Sequence, residues 1–147
     1  MVQLPKTLPA AKASTAVRLL VVDDIIDNRN LLSRFFGSRG FQIAQAESGP
    51  AALALIEQQA FDAVLLDILM PGMDGIEVLK RIRKTRSQSN LPVIMVSGKS
   101  ASMDISLAMD LGANDFITKP IDLAAALARV QSHLAPLQAE RVMARPA

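Results

Sequence analysis

Apolar residues run along the chain in two alternating rhythms. Short continuous runs, such as Val17-Arg18-Leu19-Leu20-Val21-Val22, Phe61-Asp62-Ala63-Val64-Leu65-Leu66 and Pro92-Val93-Ile94-Met95-Val96, are too brief for helices. They read as strands buried on both faces. Between them, apolar positions recur at spacings of three and four, as amphipathic helices require. The pattern predicts strands over 17–22, 41–46, 61–67, 92–97 and 114–118, and helices over 26–38, 50–59, 75–86, 100–111 and 122–135. Punctuation agrees: Gly40 follows the first helix, Pro50 opens the second, Gly112 closes the fourth and Asp122 can cap the fifth. Alternating strands and helices with short connections predict an α/β fold on a parallel sheet.

The fifth helix carries a stripe of Leu123, Leu127, Val130, Leu134 and Leu137. We read it as the face packed on the sheet rather than the start of a coiled-coil connector, because Pro136 should break or kink a continuous rod. Residues 17–135 are then one folded domain, and 136–147 a frayed tail or truncated linker. Residues 1–16 hold Pro5, Pro9, Lys6 and Lys12 without a continuous apolar stretch, so they read as a disordered leader and not a secretory signal.

Composition narrows the function classes. No apolar run in the 147 residues approaches the roughly 18 that a membrane span needs, so a soluble, cytoplasmic domain is expected. The absence of cysteine excludes disulfides, thiolate metal sites and cysteine nucleophiles. A formal charge of +2 is too small to argue for nucleic acid.

Four of the apolar runs end in chemistry. Asp23-Asp24 follows the first, Asp67 the third, Ser97 the fourth and Lys119-Pro120 the fifth. In open parallel sheets the carboxyl ends of the strands form the crevice where ligands bind. Three carboxylates gathered there would repel one another, and a hard divalent cation such as Mg²⁺, which takes few protein carboxylates and bridges to phosphate, relieves the repulsion. Asp67 can then stay ionised and attack phosphorus to give an aspartyl phosphate. Lys119 and the Ser97 hydroxyl can hold the phosphoryl oxygens, and Gly98 leaves room for the incoming group.

These motifs, Val21-Val22-Asp23-Asp24, Leu66-Asp67-Ile68-Leu69-Met70-Pro71-Gly72-Met73-Asp74-Gly75, Val96-Ser97-Gly98 and Phe116-Ile117-Thr118-Lys119-Pro120, resemble those of receiver domains in two-component response regulators. The resemblance covers residues 17 to about 135. It implies a flavodoxin-like, doubly wound (βα)5 fold with a five-stranded parallel sheet in the order 2-1-3-4-5. It implies Asp67 as phosphoacceptor, with Mg²⁺ held by Asp23, Asp24, Asp67 and the Leu69 carbonyl, and Lys119 contacting the phosphate. Ser97 and Phe116 would form the switch pair, and the Lys119–Pro120 bond would be cis. A sensor histidine kinase or phosphotransfer protein would be the partner, and a homodimer could form through the fourth helix, fifth strand and fifth helix. No nucleic acid or membrane contact is implied, and no catalysis beyond self-phosphotransfer and autodephosphorylation.

Two positions depart from the commonest pattern: Ser97 stands for threonine and Phe116 for tyrosine, so the switch must rest on ring burial without a phenolic hydroxyl. The Asn28-Arg29 pair resembles receivers joined to hybrid kinases and multidomain regulators.

Each residue also has a plainer reading. Asp23-Asp24 could cap the first helix, Asp67 could be a loop carboxylate and Lys119 a solvated lysine. Their convergence on one rim favours a site. The basic run from Lys80 to Arg86 reads as charge complementing a helix C-terminus. His133, the only histidine, reads as a surface residue away from the rim, so a phosphoryl-donor histidine must come from another protein. Among rival functions, a haloacid-dehalogenase-type hydrolase would place its nucleophile after the first strand in an Asp-x-Asp pattern. A flavodoxin-like nucleotide binder would need a glycine-rich loop there. A pseudo-receiver would lack an acid, the acceptor or the lysine. None matches.

Overall fold

Successive residues of each inner strand enter different cores. In β1 (Arg18–Val22), Leu20 and Val22 join one apolar cluster while Leu19 and Val21 join the other. β3 (Ala63–Asp67) divides Val64 and Leu66 from Ala63 and Leu65, and β4 (Val93–Ser97) divides Val93 and Met95 from Ile94 and Val96. This period of two, with both faces covered, is why these strands read as unbroken apolar runs. The computed structural model describes residues 16–98 and 102–144, with side chains for 16–98 and 103–134. The leader up to residue 15, positions 99–101 and residues 145–147 lie outside it, as does the side chain of Leu137 in the helical stripe.

The remaining elements are α1 (Ile26–Gly37), β2 (Gln42–Ala46), α2 (Gly49–Gln58), α3 (Gly75–Arg83), α4 (Ser102–Asp110), β5 (Asp115–Thr118) and α5 (Leu123–Ala144). The five parallel strands lie in the order β2-β1-β3-β4-β5, as expected for a flavodoxin-like doubly wound sheet. Ala52 and Ile56 of α2, Val78, Leu79 and Ile82 of α3, and Ala108 of α4 cover one face. Leu32 and Phe36 of α1 and Ala126, Val130 and Leu134 of α5 cover the other. Each fully buried Leu or Val contributes about 1.5–3 kcal/mol, so packing rather than helix propensity fixes where the strand ends sit.

Local chemistry sets the helix starts. Ser48 accepts from the Ala51 N–H with Pro50 in the first turn of α2, Asp74 accepts from the Glu77 N–H at 3.0 Å, and Asp122 accepts from the Ala125 N–H at 3.1 Å. Gly40 and Gly112 have positive φ and turn the chain after α1 and α4.

Two expectations need correction. α5 continues past position 136 to Ala144 instead of ending near 135. Proline forfeits one helical hydrogen bond, but its fixed φ suits a helix, and the turns anchored by Val130 and Leu134 carry the backbone on. Arg83 is not simply a charge at a helix end. Half-buried, it donates to the carbonyls of Gly112 at 2.8 Å and Leu91 at 2.9 Å and to Asn114 Oδ1 at 2.9 Å, tying the loops before β4 and β5 together. Lys80, Arg81 and Lys84 remain exposed.

Candidate functional site

The order of the sheet reverses between β1 and β3, and the site lies at that reversal. Val22 pairs with Leu66, which sets Asp23 beside Asp67 just past the strand ends. Asp67 lies next to Val96, and Ser97 opposite Thr118, so β4 and β5 bring Ser97 and Lys119 to the same edge. Carboxylate oxygens of Asp23, Asp24 and Asp67 lie within 4.8 Å of one another. Asp23 and Asp67 are buried and Asp24 is exposed.

The Lys119 ammonium reaches into this cluster, 3.0 Å from Asp67 Oδ2 and 3.5 Å from Asp23 Oδ2. Burial raises the Asp67 carboxyl above its ordinary value; the Lys119 hydrogen bond opposes this, and the Asp23 charge adds to the rise. On Lys119, burial pulls the other way, but its hydrogen bond to Asp67 and the nearby Asp67 and Asp23 charges raise it overall. An ion pair alone would lower the carboxyl. On Asp67 burial outweighs that pairing, and the Lys119 ammonium is also shared with Asp23.

The loop after Asp67 is shaped by close approach. The Leu69 N–H donates to Asp67 Oδ1 at 3.2 Å, while the Leu69 side chain is 61% exposed. The Gly75 N–H donates to the Ile68 carbonyl at 2.8 Å, and a Cβ at position 75 would collide with the Asp67 carbonyl. Glycine there lets α3 begin directly behind the acidic residue. Around Gly98 a Cβ would meet nothing within 4 Å, so that position is open.

Ser97 is fully buried, and its Oγ is the one buried side-chain polar atom among the described residues without a hydrogen-bond partner. Such an atom costs about 1–3 kcal/mol, so an orphan here points to a missing ligand. Its backbone carbonyl accepts from the Lys119 N–H at 2.7 Å, and the Lys119–Pro120 bond is cis, as expected. Phe116 stands apart from the acids, opposite Met95 and half-buried, with the Arg129 guanidinium 5.9 Å from its ring centroid.

The sequence reading missed what holds some of these residues. Asp23 does not cap α1, whose N-cap is Ile25 without a side-chain bond. Instead its Oδ1 accepts from the Ile25 N–H at 2.9 Å and its Oδ2 from Asn28 Nδ2 at 3.2 Å. Arg29 donates to the Asp23 carbonyl at 2.8 Å. The Asn28-Arg29 dipeptide was visible, but nothing in its spacing revealed its target. His133 is half-buried rather than a free surface residue, with Nε2 3.0 Å from Asp115 Oδ2, far along the chain and away from the rim.

Three acids, a lysine and an unsatisfied hydroxyl thus share the carboxyl edge of a doubly wound parallel sheet. The model of the response regulator receiver domain matches residues 19–131, and the chain belongs to that family. Response regulator PleD of Caulobacter vibrioides is 37% identical over 117 residues, 80% of this chain and 26% of PleD. Regulatory protein VanRc of Enterococcus gallinarum is 35% identical over 117 residues, 80% of this chain and 49% of VanRc. The chain thus spans about a quarter to a half of these relatives. A CheY-like receiver domain structure from Methanospirillum hungatei superposes with a TM-score of 0.79 at 27% identity, covering 85% of this chain and 98% of the other. Among the described residues, no helix is long and apolar enough to cross a membrane.

Proposed function

We propose that Asp67 is the phosphoacceptor, taking a phosphoryl group from the phosphohistidine of a sensor histidine kinase or phosphotransfer protein. An Asp67 carboxylate oxygen bonds to phosphorus as the phosphorus–nitrogen bond breaks, and the donor imidazole leaves. The observation that carries this reading is Lys119 bridging two buried carboxylates, 3.0 Å from Asp67 and 3.5 Å from Asp23. Lys119 turns its charge to the phosphoryl oxygens, and the Ser97 hydroxyl, otherwise unpartnered, donates to one of them.

The oxygen-only donor set fits Mg²⁺, which Asp23, Asp24, Asp67 and the Leu69 carbonyl would hold. When bound, it supplies neutralising charge for both the acids and the incoming phosphoryl group. The chain catalyses only its own phosphotransfer and autodephosphorylation, and acts in the cytoplasm where its donors phosphorylate. Residues 17–135 carry the receiver unit, with 1–16 a leader, and α5 continues beyond 135 as far as Ala144 into the tail or linker. Ser97 drawn to the phosphoryl group lets Phe116 turn inward, shifting an existing equilibrium. The surface that changes is α4, β5 and α5, where a homodimer or an output module would dock. No direct nucleic-acid or membrane contact forms part of this reading.

The test is intact mass after incubation with a small acyl or amide phosphodonor and Mg²⁺. Wild type should gain one phosphoryl group and Asp67→Asn none. An adduct that persists undiminished in Asp67→Asn would sink the assignment.

A further inference from the structure

Asn28 and Arg29 flank the acidic site, yet phosphotransfer as proposed gives them no task. Arg29 is only 8% exposed, and it belongs to none of the ion pairs among the described residues. A buried guanidinium without a carboxylate is costly, and an apolar side chain of similar length, such as methionine, would fill the space without that cost. What methionine cannot do is donate hydrogen bonds. Arg29 spends its donors on two acceptors: Nη1 on the Asp23 carbonyl at 2.8 Å and Nε on Gln45 Oε1 at 3.1 Å. Gln45 is held in turn, its Nε2 donating to Ser33 Oγ at 2.9 Å and Asn30 Oδ1 at 3.4 Å. The guanidinium is therefore fixed between α1 and β2.

Besides the Lys119 ammonium, 3.5 Å from Oδ2, Asp23 is gripped at three points near the start of α1. Arg29 takes its carbonyl, the Ile25 N–H takes Oδ1 at 2.9 Å and Asn28 takes Oδ2 at 3.2 Å. The first acid of the cluster is therefore oriented by Ile25, Asn28 and Arg29, with the Lys119 ammonium 3.5 Å from Oδ2 on its other side, and not by a ligand.

We propose that Asn28 and Arg29 are positioning residues for the divalent cation, holding Asp23 in its ligating orientation before the cation arrives. This rests on the cation site of the proposed function and names what prepares it. Partners that orient a ligating carboxylate from behind change metal affinity by about 10- to 100-fold when removed. The proposal also fixes a sign. As a bare positive charge, Arg29 would repel Mg²⁺, so removing it would tighten binding; as a grip on Asp23, removing it loosens binding.

Calorimetric titration with Mg²⁺ of wild type, Arg29→Met, Arg29→Lys, Asn28→Ala and Asp24→Ala decides between these, with urea unfolding in chelator reporting the fold of each. Arg29→Met and Asn28→Ala should each bind Mg²⁺ about tenfold more weakly. Arg29→Lys, which keeps one donor within reach, should recover part of the loss, a rescue that a space-filling role would not produce. Equal or tighter binding by Arg29→Met overturns the proposal. Should Arg29→Met not fold, Asn28→Ala decides alone, since a neutral amide on a half-buried residue carries no charge effect. Wild type binding no more tightly than Asp24→Ala would overturn the cation site itself. Tight wild-type binding matched by the Arg29 and Asn28 variants overturns only their role.

Discussion

Asp67 and Asp115 both face cations, yet their surroundings push their carboxyls in opposite directions. Burial raises Asp67 above the ordinary 3.8 despite Lys119. Burial also raises Asp115, but hydrogen bonds from His133, the Phe116 N–H and Arg129 outweigh it and leave that carboxyl lowered. The consequences for stability have opposite signs. The folded protein keeps the Asp67 proton where the unfolded chain has lost it, so stability falls as pH rises from 3.8 through the raised folded value and stays lower above it. Stability from Asp115 is full above 3.8 and is lost as pH falls from there through the lowered folded value. Urea midpoints across pH in chelator should therefore lose their decline above pH 3.8 in Asp67→Asn, and lose an acid-side slope in Asp115→Asn. An unaltered decline in Asp67→Asn would contradict the burial argument. At this scale the rim groups were legible because each ends an apolar strand. The partners of Asp115 were not, since His133 lies 18 residues away and no local period joins them.

All five strands and all five helices could be read from the sequence because two-sided burial and three–four spacing are local patterns. What failed was the end of α5, where a local rule about proline gave way to the packing of the preceding turns. The faces of the elements were also legible. Val130 and Leu134 of the stripe are buried on the sheet, whereas Met103, Leu107 and Met109 of α4 are exposed at 85%, 45% and 39%. That exposed material lies on the elements expected to move. Amide hydrogen exchange with and without Mg²⁺ and a beryllofluoride phosphoryl mimic should show protection changes spread over 97–135. Changes confined to the loop after Asp67 would rule out the Ser97–Phe116 switch in this chain.

Across the whole molecule the two edges of the sheet do different work. The amino edge is knitted shut: Arg83 ties the loops before β4 and β5, and the Arg18 N–H donates to Asp62 at 2.8 Å. The carboxyl edge is left incompletely satisfied, and Ser97 is where this shows most plainly. A hydroxyl sealed in the interior with nothing to hold is a fault by the standards of folding alone. Ser97→Ala should therefore be as stable as wild type or more stable before phosphorylation, by about 1–3 kcal/mol at most in urea unfolding. A clear loss of stability would mean that the hydroxyl is satisfied after all. The alanine protein would also lack a donor for the phosphoryl group. A breeding experiment that rewarded only resistance to heat would thus drift toward alanine at position 97, yielding a sturdier protein stripped of the hydroxyl proposed to hold the message.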